Sequence, residues 1–399
     1  MVSKTPFTCI TSILLPSLGH SFLPIYQNNN NPIVRFPWHQ IQHRSHSKMI
    51  MLMSPAASVN PEDKLNRIAT DNVQIPFSLA SKLNVLHESR TTEHTHPIEV
   101  VGHRGSLYTA LENTSRSFLH AAELGADTVE LDVFLLKCGT LVVFHGTGSD
   151  QSPGLLDKYC GMEGSILDYT AEEAKQSLKF NKHFEEFGCG PEFITHPDDL
   201  ATEALGQEPI SHYCYVHTLE EVLVTLRDHP NVSPTLSIKI ELKGEGTAAP
   251  SVQLVEKLNM MHRCHYSSFD HTKIAEVRAL SPDAKTGALF ANDVPDDFVQ
   301  RAIAVGATEV HLKYDTCTYE RIQAAHNAGL GTMAWFRGPI GMREDTTKKY
   351  RDVGNEDERM YEVVLRSGVR GMCVNRPDVM SKLADKLQRR IQWGSVIPQ

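Results

Sequence analysis

Eight short apolar runs, each followed by an amphipathic stretch, recur along residues 98–389 and constrain the fold more than any other feature of the sequence. Apolar runs that alternate with helical patterns indicate β/α units around a parallel sheet. The predicted strands are 98–102, 128–133, 236–242, 265–269, 286–290, 309–312, 331–336 and 371–374. The predicted helices are 113–124, 219–228, 251–261, 272–280, 295–305, 319–328, 358–367 and 378–389. Eight such units predict an α/β fold, the TIM (β/α)8 barrel.

Several predicted helices end at a glycine directly before the next strand, namely Gly125, Gly306, Gly329 and Gly368. Glycine at this position is typical of a left-handed helix C-cap. The alternative architecture is an open doubly wound sheet, but no G-x-G-x-x-G sequence supports it. The pattern therefore favours the barrel.

The barrel pattern is interrupted between residues 146 and 217 by a long stretch rich in Gly, Pro and Asp. A short extra strand at 141–144 precedes it and is predicted to form a hairpin in the second unit. Loops at the carboxyl ends of barrel strands surround the active site, and long loops are usually functional or disordered. We therefore expect an insertion near the barrel mouth, within a catalytic domain at 97–390 that follows a polar approach segment at 62–96.

The first 61 residues contain no Asp or Glu and only four basic residues, Lys4, Arg35, Arg44 and Lys48. Their apolar run at 9–18 is broken by Pro16 and is too short to span a bilayer. The acid-free stretch extends beyond the ~15–30 residues of a secretory signal. It therefore predicts an organellar transit peptide, for a plastid or a mitochondrion, with a secretory signal or a disordered leader of a cytoplasmic protein as alternatives.

The formal net charge is −9, and all 48 acidic residues follow the leader. Such a surface has no general attraction for nucleic acid or anionic membranes, so a phosphate group must be bound locally. The eight cysteines include no C-x-x-C pair, which argues against zinc ribbons and redox dithiols. We expect a small-molecule partner, no nucleic acid and no stable membrane anchor.

Glu130 and Asp132 lie two residues apart in the predicted second strand, so their side chains point to one face. Val129, Leu131 and Val133 point to the other face. Two carboxylates inside a barrel repel each other unless a positive charge neutralises them, and a hard divalent cation fits best. The alternative is a pair of exposed charges on an edge strand, which the apolar, β-branched neighbours disfavour.

A third carboxylate follows the same logic on the next predicted strand, where Lys239, Glu241 and Lys243 share one face. Taken alone, this pattern also suits an ordinary half-solvated strand. Together with Glu130 and Asp132, however, Glu241 completes a predicted metal site near the carboxyl ends of two strands. Lys243 is then a candidate phosphate ligand.

Two histidines are predicted to reach the same rim of the barrel. His103 follows the first strand and precedes Arg104 and Gly105, while His145 ends the short strand at 141–144. Phosphodiester cleavage needs a base, an acid and positive charge on the phosphoryl oxygens. Two histidines, one metal ion and Arg104 or Lys243 would supply all three.

These residues resemble the glycerophosphodiester phosphodiesterase family over about residues 97–385. The matching motifs are His103-Arg104-Gly105, Glu112-Asn113, the segment 125–133 around Glu130 and Asp132, the strand ending in His145, Glu241-Leu242-Lys243, Ser267-Ser268-Phe269-Asp270 and Pro377-Asp378. The combination is highly specific, although each short motif alone is weak.

The resemblance implies a TIM barrel in which His103 and His145 form the acid–base pair. It also implies that Glu130, Asp132 and Glu241 bind one Mg²⁺ or Ca²⁺ ion. The substrate-binding residues would be Arg104 and Lys243 at the phosphate and Trp335 at the glycerol moiety, with a core aromatic as the alternative role of Trp335. In that family a substrate hydroxyl attacks first, and water then opens the cyclic phosphate.

One departure from the family pattern follows the second histidine, where Gly146 stands in place of the usual Asp and Asp150 comes only later. The leading hypothesis is an enzyme that hydrolyses glycerophosphodiesters, such as deacylated phospholipids, to sn-glycerol 3-phosphate and an alcohol. A phospholipase C-like or D-like enzyme acting on an intact lipid is the first alternative. A catalytically weak barrel with a binding or regulatory role is the second.

Overall fold

The computed structural model describes residues 74–86, 96–107, 110–149, 152–160, 162–178, 215–337 and 356–387. In these residues eight parallel strands form a barrel that is closed by pairing of the first strand with both the second and the last. The barrel strands are β1 (Glu99–Gly102), β2 (Thr128–Leu135), β6 (Ser237–Leu242), β7 (Cys264–Ser268), β8 (Lys285–Phe290), β9 (Glu309–Lys313), β10 (Gly331–Trp335) and β11 (Gly371–Val374). The predicted TIM barrel is confirmed.

Helices connect the strands, as the sequence pattern predicts. They are α1 (Gln74–Lys82), α2 (Ser115–Glu123), α3 (Asp157–Cys160), α4 (Ala171–Ser177), α5 (Leu219–Asp228), α6 (Ala248–Lys257), α7 (His271–Leu280), α8 (Phe298–Ala304), α9 (Tyr319–Asn327), α10 (Glu358–Leu365) and α11 (Pro377–Lys386). The predicted C-cap glycines all have positive φ, of 88° at Gly125, 71° at Gly306, 77° at Gly329 and 91° at Gly368. Among the residues described, no helix has the length and apolarity needed to cross a bilayer.

The predicted hairpin in the second unit is present, because β3 (Leu141–Val143) pairs antiparallel with the end of β2. A second hairpin of β4 (Thr147–Ser149) and β5 (Ser152–Leu155) follows, then α3, a 3-10 turn at Ile166–Asp168 and α4. These elements bury an apolar cluster with Phe134 and Phe144. The first part of the predicted insertion is therefore folded, while 179–214 lie outside the described residues.

Helix α1 corrects the expectation that 62–96 is only a polar approach segment. Ala80, Leu83 and Val85 in and after this helix are buried in the main apolar core. The helix packs against α10, and the carbonyl oxygen of Leu83 accepts a hydrogen bond from the Tyr319 N–H at 3.0 Å. Pro76 and the polar residues around it obscure the helical pattern in the sequence.

The barrel has an apolar outer face and an interior that holds charged residues. On β2, the outward-facing Val129, Leu131 and Val133 are buried in the layer between strands and helices. Glu130 and Asp132 alternate with them and are also buried, so they face inward. The interior is therefore the part of the barrel that carries charge.

Five charged or titratable residues near the amino ends of the strands form what we call the lower cluster, consisting of Glu99, Lys239, His265, Glu309 and His311. The ammonium of Lys239 lies 2.9 Å from a carboxylate oxygen of Glu309 and 3.5 Å from one of Glu99. His311 Nε2 lies 2.9 Å from the same Glu309 oxygen. Opposite charges thus alternate within this cluster.

Glycine makes room for the lower cluster. A Cβ atom on Gly287 of β8 would lie 2.2 Å from the His311 ring, and one on Gly331 of β10 would lie 2.9 Å from Cγ of Glu309. Real Cβ atoms do not approach so closely, so any larger side chain would displace the cluster. The glycines of β8 and β10 therefore leave the space that the lower cluster occupies.

Candidate active site

Three carboxylates converge near the carboxyl ends of β2 and β6. The two strands pair so that Asp132 is opposite Glu241 and Glu130 is opposite Lys239. One oxygen from each of Glu130, Asp132 and Glu241 lies within 4.8 Å of the others. The structure therefore brings together the three acidic residues predicted from the sequence, in an arrangement able to accept a metal ion.

Two cations accompany these carboxylates, and we call the five residues the upper cluster: Arg104, Glu130, Asp132, Glu241 and Lys243. Lys243 Nζ lies 2.7 Å from Glu241 Oε1 and 3.2 Å from Asp132 Oδ1. Arg104 Nε lies 3.4 Å from Asp132 Oδ2. Its Nη1 donates to the Glu112 carboxylate at 2.8 Å, so part of the charge of Arg104 is offset by a fourth acid.

The cations do not compensate the three carboxylates equally. Burial, with repulsion from Asp132 and Glu241, raises the pKa of Glu130 well above its usual value. Burial acts in the same direction on Asp132, but Lys243, His145 and Arg104 outweigh it and lower the pKa of that carboxyl. The deficit of positive charge in the upper cluster is thus concentrated at Glu130.

The upper cluster fits a divalent cation on the chemistry of its donors. Within the described part of the chain, Glu130 Oε1 is buried and has no hydrogen-bond partner. Asp132 Oδ1 has only the ion pair with Lys243 and no contact of hydrogen-bond geometry there. Buried carboxylate oxygens without donors are costly, and carboxylate oxygens are preferred ligands of Mg²⁺ and Ca²⁺.

The loop after β1 holds the carboxylates in place. The Arg104 N–H donates to Glu130 Oε2 at 2.9 Å, and Asn113 Nδ2 donates to Asp132 Oδ2 at 2.8 Å. Arg104 and Asn113 have positive φ values of 52° and 57°, which non-glycine residues rarely adopt and which often occur at functional sites. Asn113 belongs to one of the sequence motifs, but its role at Asp132 was not predicted.

His103 lies directly after β1 and faces the carboxylates. Its Nδ1 is 2.8 Å from Asn375 Oδ1, and its Nε2 is 4.0 Å from Glu130 Oε2. Burial, with the nearby Arg104, lowers the pKa of His103 to about 3. The imidazole is therefore neutral near pH 7 when no further charge is present.

His145 follows β3 and lines a cleft of about 500 Å³ together with Glu241 and Lys243. Its Nδ1 lies 2.6 Å from the carbonyl oxygen of Gly146. Burial, followed by Arg104 and Lys243, lowers the pKa of His145 well below its usual value. The two predicted histidines thus share a site with the same two cations.

Gly146, which stands where the family pattern has Asp, lies in a crowded position with a left-handed backbone conformation. Its φ is +64°, and a Cβ atom there would lie 2.5 Å from Cα of Gly154 in β5. A side chain at 146 would therefore require the β4–β5 hairpin to shift. Asp150, the next acidic residue along the chain, lies outside the described residues.

Aromatic residues border the far side of the cleft. Phe269 lines it with 44% of its surface exposed, and its ring meets that of Trp335 edge-on at 5.7 Å between centroids. Trp335 Nε1 donates to the carbonyl of Phe290 at 3.1 Å. The indole is thereby fixed beside the mouth of the barrel.

Two residues that were not predicted from the sequence lie behind His103. Asn375 directly follows β11, and Glu356 precedes α10. Both are buried, and the Asn375 N–H donates to Glu356 Oε2 at 3.0 Å. The only signal in the sequence was the position of Asn375 at the end of the last predicted strand.

Comparison with known proteins gives a consistent assignment. Residues 103–379 match the model of the glycerophosphoryl diester phosphodiesterase family. A glycerophosphodiester phosphodiesterase of Bacillus altitudinis is 30% identical over 299 residues, which cover 73% of this chain and 99% of that protein. One of Caldanaerobacter subterraneus is 26% identical over 295 residues, covering 72% and 98%.

Solved structures agree with the fold. A protein from Galdieria sulphuraria assigned to the glycerophosphodiester phosphodiesterases has a TM-score of 0.56 and 26% identity, covering 73% of this chain and 98% of that one. An Oleispira antarctica phosphodiesterase, solved with its product sn-glycerol-3-phosphate, has a TM-score of 0.52 and 20% identity, covering 72% and 97%. The chain belongs to the glycerophosphoryl diester phosphodiesterase family and is an enzyme with glycerophosphodiester phosphodiesterase activity.

Proposed function

We propose that this enzyme hydrolyses glycerophosphodiesters to sn-glycerol 3-phosphate and an alcohol, with His103 and His145 as its acid–base pair and a divalent cation held by Glu130, Asp132 and Glu241. The observation that carries the proposal is the convergence of three carboxylates, two of them buried and one partly buried, beside two histidines at one end of the barrel. The product bound to the Oleispira antarctica relative supports the choice of product.

The metal proposal is supported by the Glu130 oxygen that has no donor among the described residues. When bound, Mg²⁺ or Ca²⁺ would stabilise negative charge on the phosphoryl oxygens. Lys243 lines the cleft and would hold the phosphate from the protein side. Arg104, fixed by Glu112 and Asp132, would add positive charge, and Trp335 would pack on the glycerol moiety.

The two histidines would divide the proton transfers of a two-step reaction. In the first step one imidazole removes the proton from the glycerol hydroxyl next to the phosphate, and that oxygen attacks phosphorus. The other histidine, protonated once the anionic substrate offsets the charges of Arg104 and Lys243, donates a proton to the departing alkoxide, which leaves a cyclic phosphate. In the second step the roles reverse, because water attacks and the ring oxygen is protonated.

The test of function is product analysis with glycerophosphocholine by ³¹P NMR. We expect sn-glycerol 3-phosphate and choline, complete inactivation by EDTA and recovery with Mg²⁺ or Ca²⁺. His103→Ala and His145→Ala should each lower kcat by at least about 10²-fold, and kcat/KM should have a bell-shaped pH profile. Phosphocholine as the product, or full activity after verified metal removal, would contradict the proposal.

We also propose that residues 1–61 are a targeting leader and that the catalytic domain, over 97–390, does not need it. The acid-free composition of the leader supports this proposal. A variant that begins at Glu62 should keep its kcat, and residues 1–61 fused to a fluorescent protein should direct it to a plastid or mitochondrion. Diffuse fluorescence, or a truncated protein without activity, would count against a leader.

A further inference from the structure

A chain of buried hydrogen bonds runs from α10 to the imidazole of His103. Tyr361 Oη donates to Glu356 Oε2 at 2.6 Å, and Glu356 accepts from both the backbone N–H and the side-chain amide of Asn375. Asn375 Oδ1 lies 2.8 Å from His103 Nδ1. The proposed function uses only the last residue of this chain.

Strand register explains why these residues meet. β1 and β11 are neighbours, with Gly102 opposite Val374, so the next residues, His103 and Asn375, emerge side by side. The His103 N–H also donates to the Val374 carbonyl at 3.0 Å. The backbone and the side chain of His103 are thus both attached to the end of β11.

The orientation of the Asn375 amide is determined by its other partners. Its Nδ2 faces two acceptors, the Glu356 carboxylate and the carbonyl oxygen of Arg337, the latter at 3.0 Å. The amide nitrogen must therefore point to them, which leaves Oδ1 toward His103. Because a carbonyl oxygen only accepts, Nδ1 of His103 must carry the hydrogen and Nε2 must carry the lone pair.

We propose that Glu356 and Asn375 are positioning residues that hold His103 as its Nδ1–H tautomer, so that Nε2 is the atom that exchanges a proton with the substrate. This inference rests on the acid–base role of His103 proposed above. Nε2 is the ring nitrogen on the side of Glu130. An imidazole with its hydrogen on Nε2 would be unable to accept the substrate proton there.

His145 is held differently, which makes the proposal specific to one histidine. Its Nδ1 faces the carbonyl oxygen of the adjacent Gly146 at 2.6 Å. That contact comes from the residue's own stretch of backbone and does not involve Glu356 or Asn375. A change at position 356 should therefore alter the tautomer of His103 and leave that of His145 unchanged.

The first variant is Glu356→Gln, compared with the wild type at pH 8, where the Glu356 carboxyl, whose pKa burial raises to about 7, is ionised. The introduced side-chain oxygen can still accept from Tyr361 Oη and the Asn375 N–H, but the introduced amide nitrogen then faces Asn375 Nδ2, so two donors meet. Rotation of the Asn375 amide removes this clash and presents an N–H to His103. We expect kcat to fall by about 10²-fold, with KM changed by less than about threefold.

Glu309→Gln is the matched control, because it makes the same substitution at another carboxylate in the barrel interior, which is partly buried and contacts Lys239 and His311. It leaves every partner of His103 in place. We expect its kcat to stay within about twofold of the wild type at a temperature where it is folded. Equal losses of kcat in both variants would attribute the effect to general destabilisation and overturn the proposal.

A double variant, Glu356→Gln with Asn375→Asp, tests the hydrogen-bond order. The carboxylate introduced at position 375 would accept both from the amide introduced at position 356 and from His103 Nδ1–H, and the net charge of the pair is that of the wild type. Its second oxygen would also face the Arg337 carbonyl, which loses its donor, so the recovery is expected to be partial. We expect kcat to recover by at least about tenfold over Glu356→Gln alone. No recovery would overturn the proposal, since a purely structural role predicts further loss from a second substitution.

The direct readout is ¹⁵N NMR of the imidazoles in the full-length enzyme without substrate, with the His103 signals assigned by their absence in His103→Ala. We expect the Nδ1–H form in the wild type and a shift toward the Nε2–H form in Glu356→Gln. An Nε2–H wild type, an unchanged variant, or a tautomer shift without loss of kcat would each overturn the proposal. A wild-type enzyme with the expected tautomer that releases phosphocholine would contradict the proposed function alone.

Discussion

The barrel buries two groups of charged residues, and they behave in opposite ways. In the lower cluster Lys239 lies between Glu99 and Glu309, and burial is outweighed by Lys239 and His311, which lower the pKa of Glu309 well below its usual value. In the upper cluster burial and two neighbouring carboxylates raise the pKa of Glu130. The charge of Glu309 in the lower cluster is thus neutralised by neighbouring cations, whereas Glu130 in the upper cluster lacks such a partner.

This difference suggests a separate role for each cluster, one in the stability of the fold and the other in catalysis. Charges that are buried with their counterions contribute to a specific packing arrangement. An uncompensated carboxylate instead lowers the stability of the fold, and a bound cation would restore it. The lower cluster is expected to affect folding and the upper cluster to affect catalysis. Four predictions test this division.

The largest expected effect is on folding, from Lys239→Met. Removal of the ammonium leaves the buried Glu99 and the partly buried Glu309 without their cation, which should lower the free energy of unfolding by about 3–5 kcal/mol. Denaturant titration measures this loss. The control is Lys257→Met, because the Lys257 side chain is 67% exposed and pairs with Glu220. It should change the free energy of unfolding by less than about 1 kcal/mol. Equal effects of the two substitutions would contradict a special role for Lys239.

The second effect is on catalysis, from Glu130→Gln. We expect kcat/KM for glycerophosphocholine to fall by at least about 10²-fold because a proposed metal ligand is lost. The free energy of unfolding should stay constant or rise, since the buried repulsion with Asp132 and Glu241 is relieved. A variant that is both active and unstable would reverse the assignment of the two clusters.

The third effect is stabilisation by the metal ion itself. Mg²⁺ or Ca²⁺ at tenfold its Kd should raise the free energy of unfolding by about 1.4 kcal/mol if it binds only the folded state. The increment should persist in Glu309→Gln and disappear in Glu130→Gln. Thermal melts with and without the ion, after treatment with EDTA, provide the measurement, and an increment that survives in Glu130→Gln would place the ion elsewhere.

The smallest effect is on the pH dependence of stability. A lowered pKa means that Glu309 stabilises the fold above its ordinary pKa of 4.5 and that this contribution is lost as the pH falls through its lower folded value. Burial raises the pKa of Glu356 to about 7, so its contribution is present below about 4.5 and is lost as the pH rises through 7.

Unfolding curves from pH 4 to pH 8 distinguish these two carboxyls. Glu309→Gln should flatten the acid side of the stability profile, and Glu356→Gln should flatten the side approaching pH 7. Parallel profiles for wild type and both variants would show that neither carboxyl is linked to folding in this range.

The sequence predicts the barrel well because its signals are local. Alternation of apolar residues identifies the strands, and glycine marks the helix ends, so the predicted elements agree with the observed ones to within about one helical turn. Glu130 and Asp132 were assigned to one face by their spacing alone, and register then places Asp132 opposite Glu241. Those assignments required no knowledge of distant contacts.

The remaining features depend on long-range contacts that no local pattern encodes. His103 and Asn375 are 272 residues apart in the sequence, and Lys239 and Glu309 are 70 apart. Each meets its partner only after the barrel closes. Helix α1 was missed for a related reason, since its apolar residues acquire a role only through packing on α10.

The close approach of Gly146 to Gly154 has a consequence for how such a loop can change in evolution. Gly146 is restricted by the Cα of Gly154, and a Cβ on Gly154 would lie 2.7 Å from Ile166 Cγ2. The two glycines and the β4–β5 hairpin therefore form one interdependent unit. An aspartate after His145 would therefore force this hairpin to move, and we expect it to be tolerated only together with further changes at neighbouring positions.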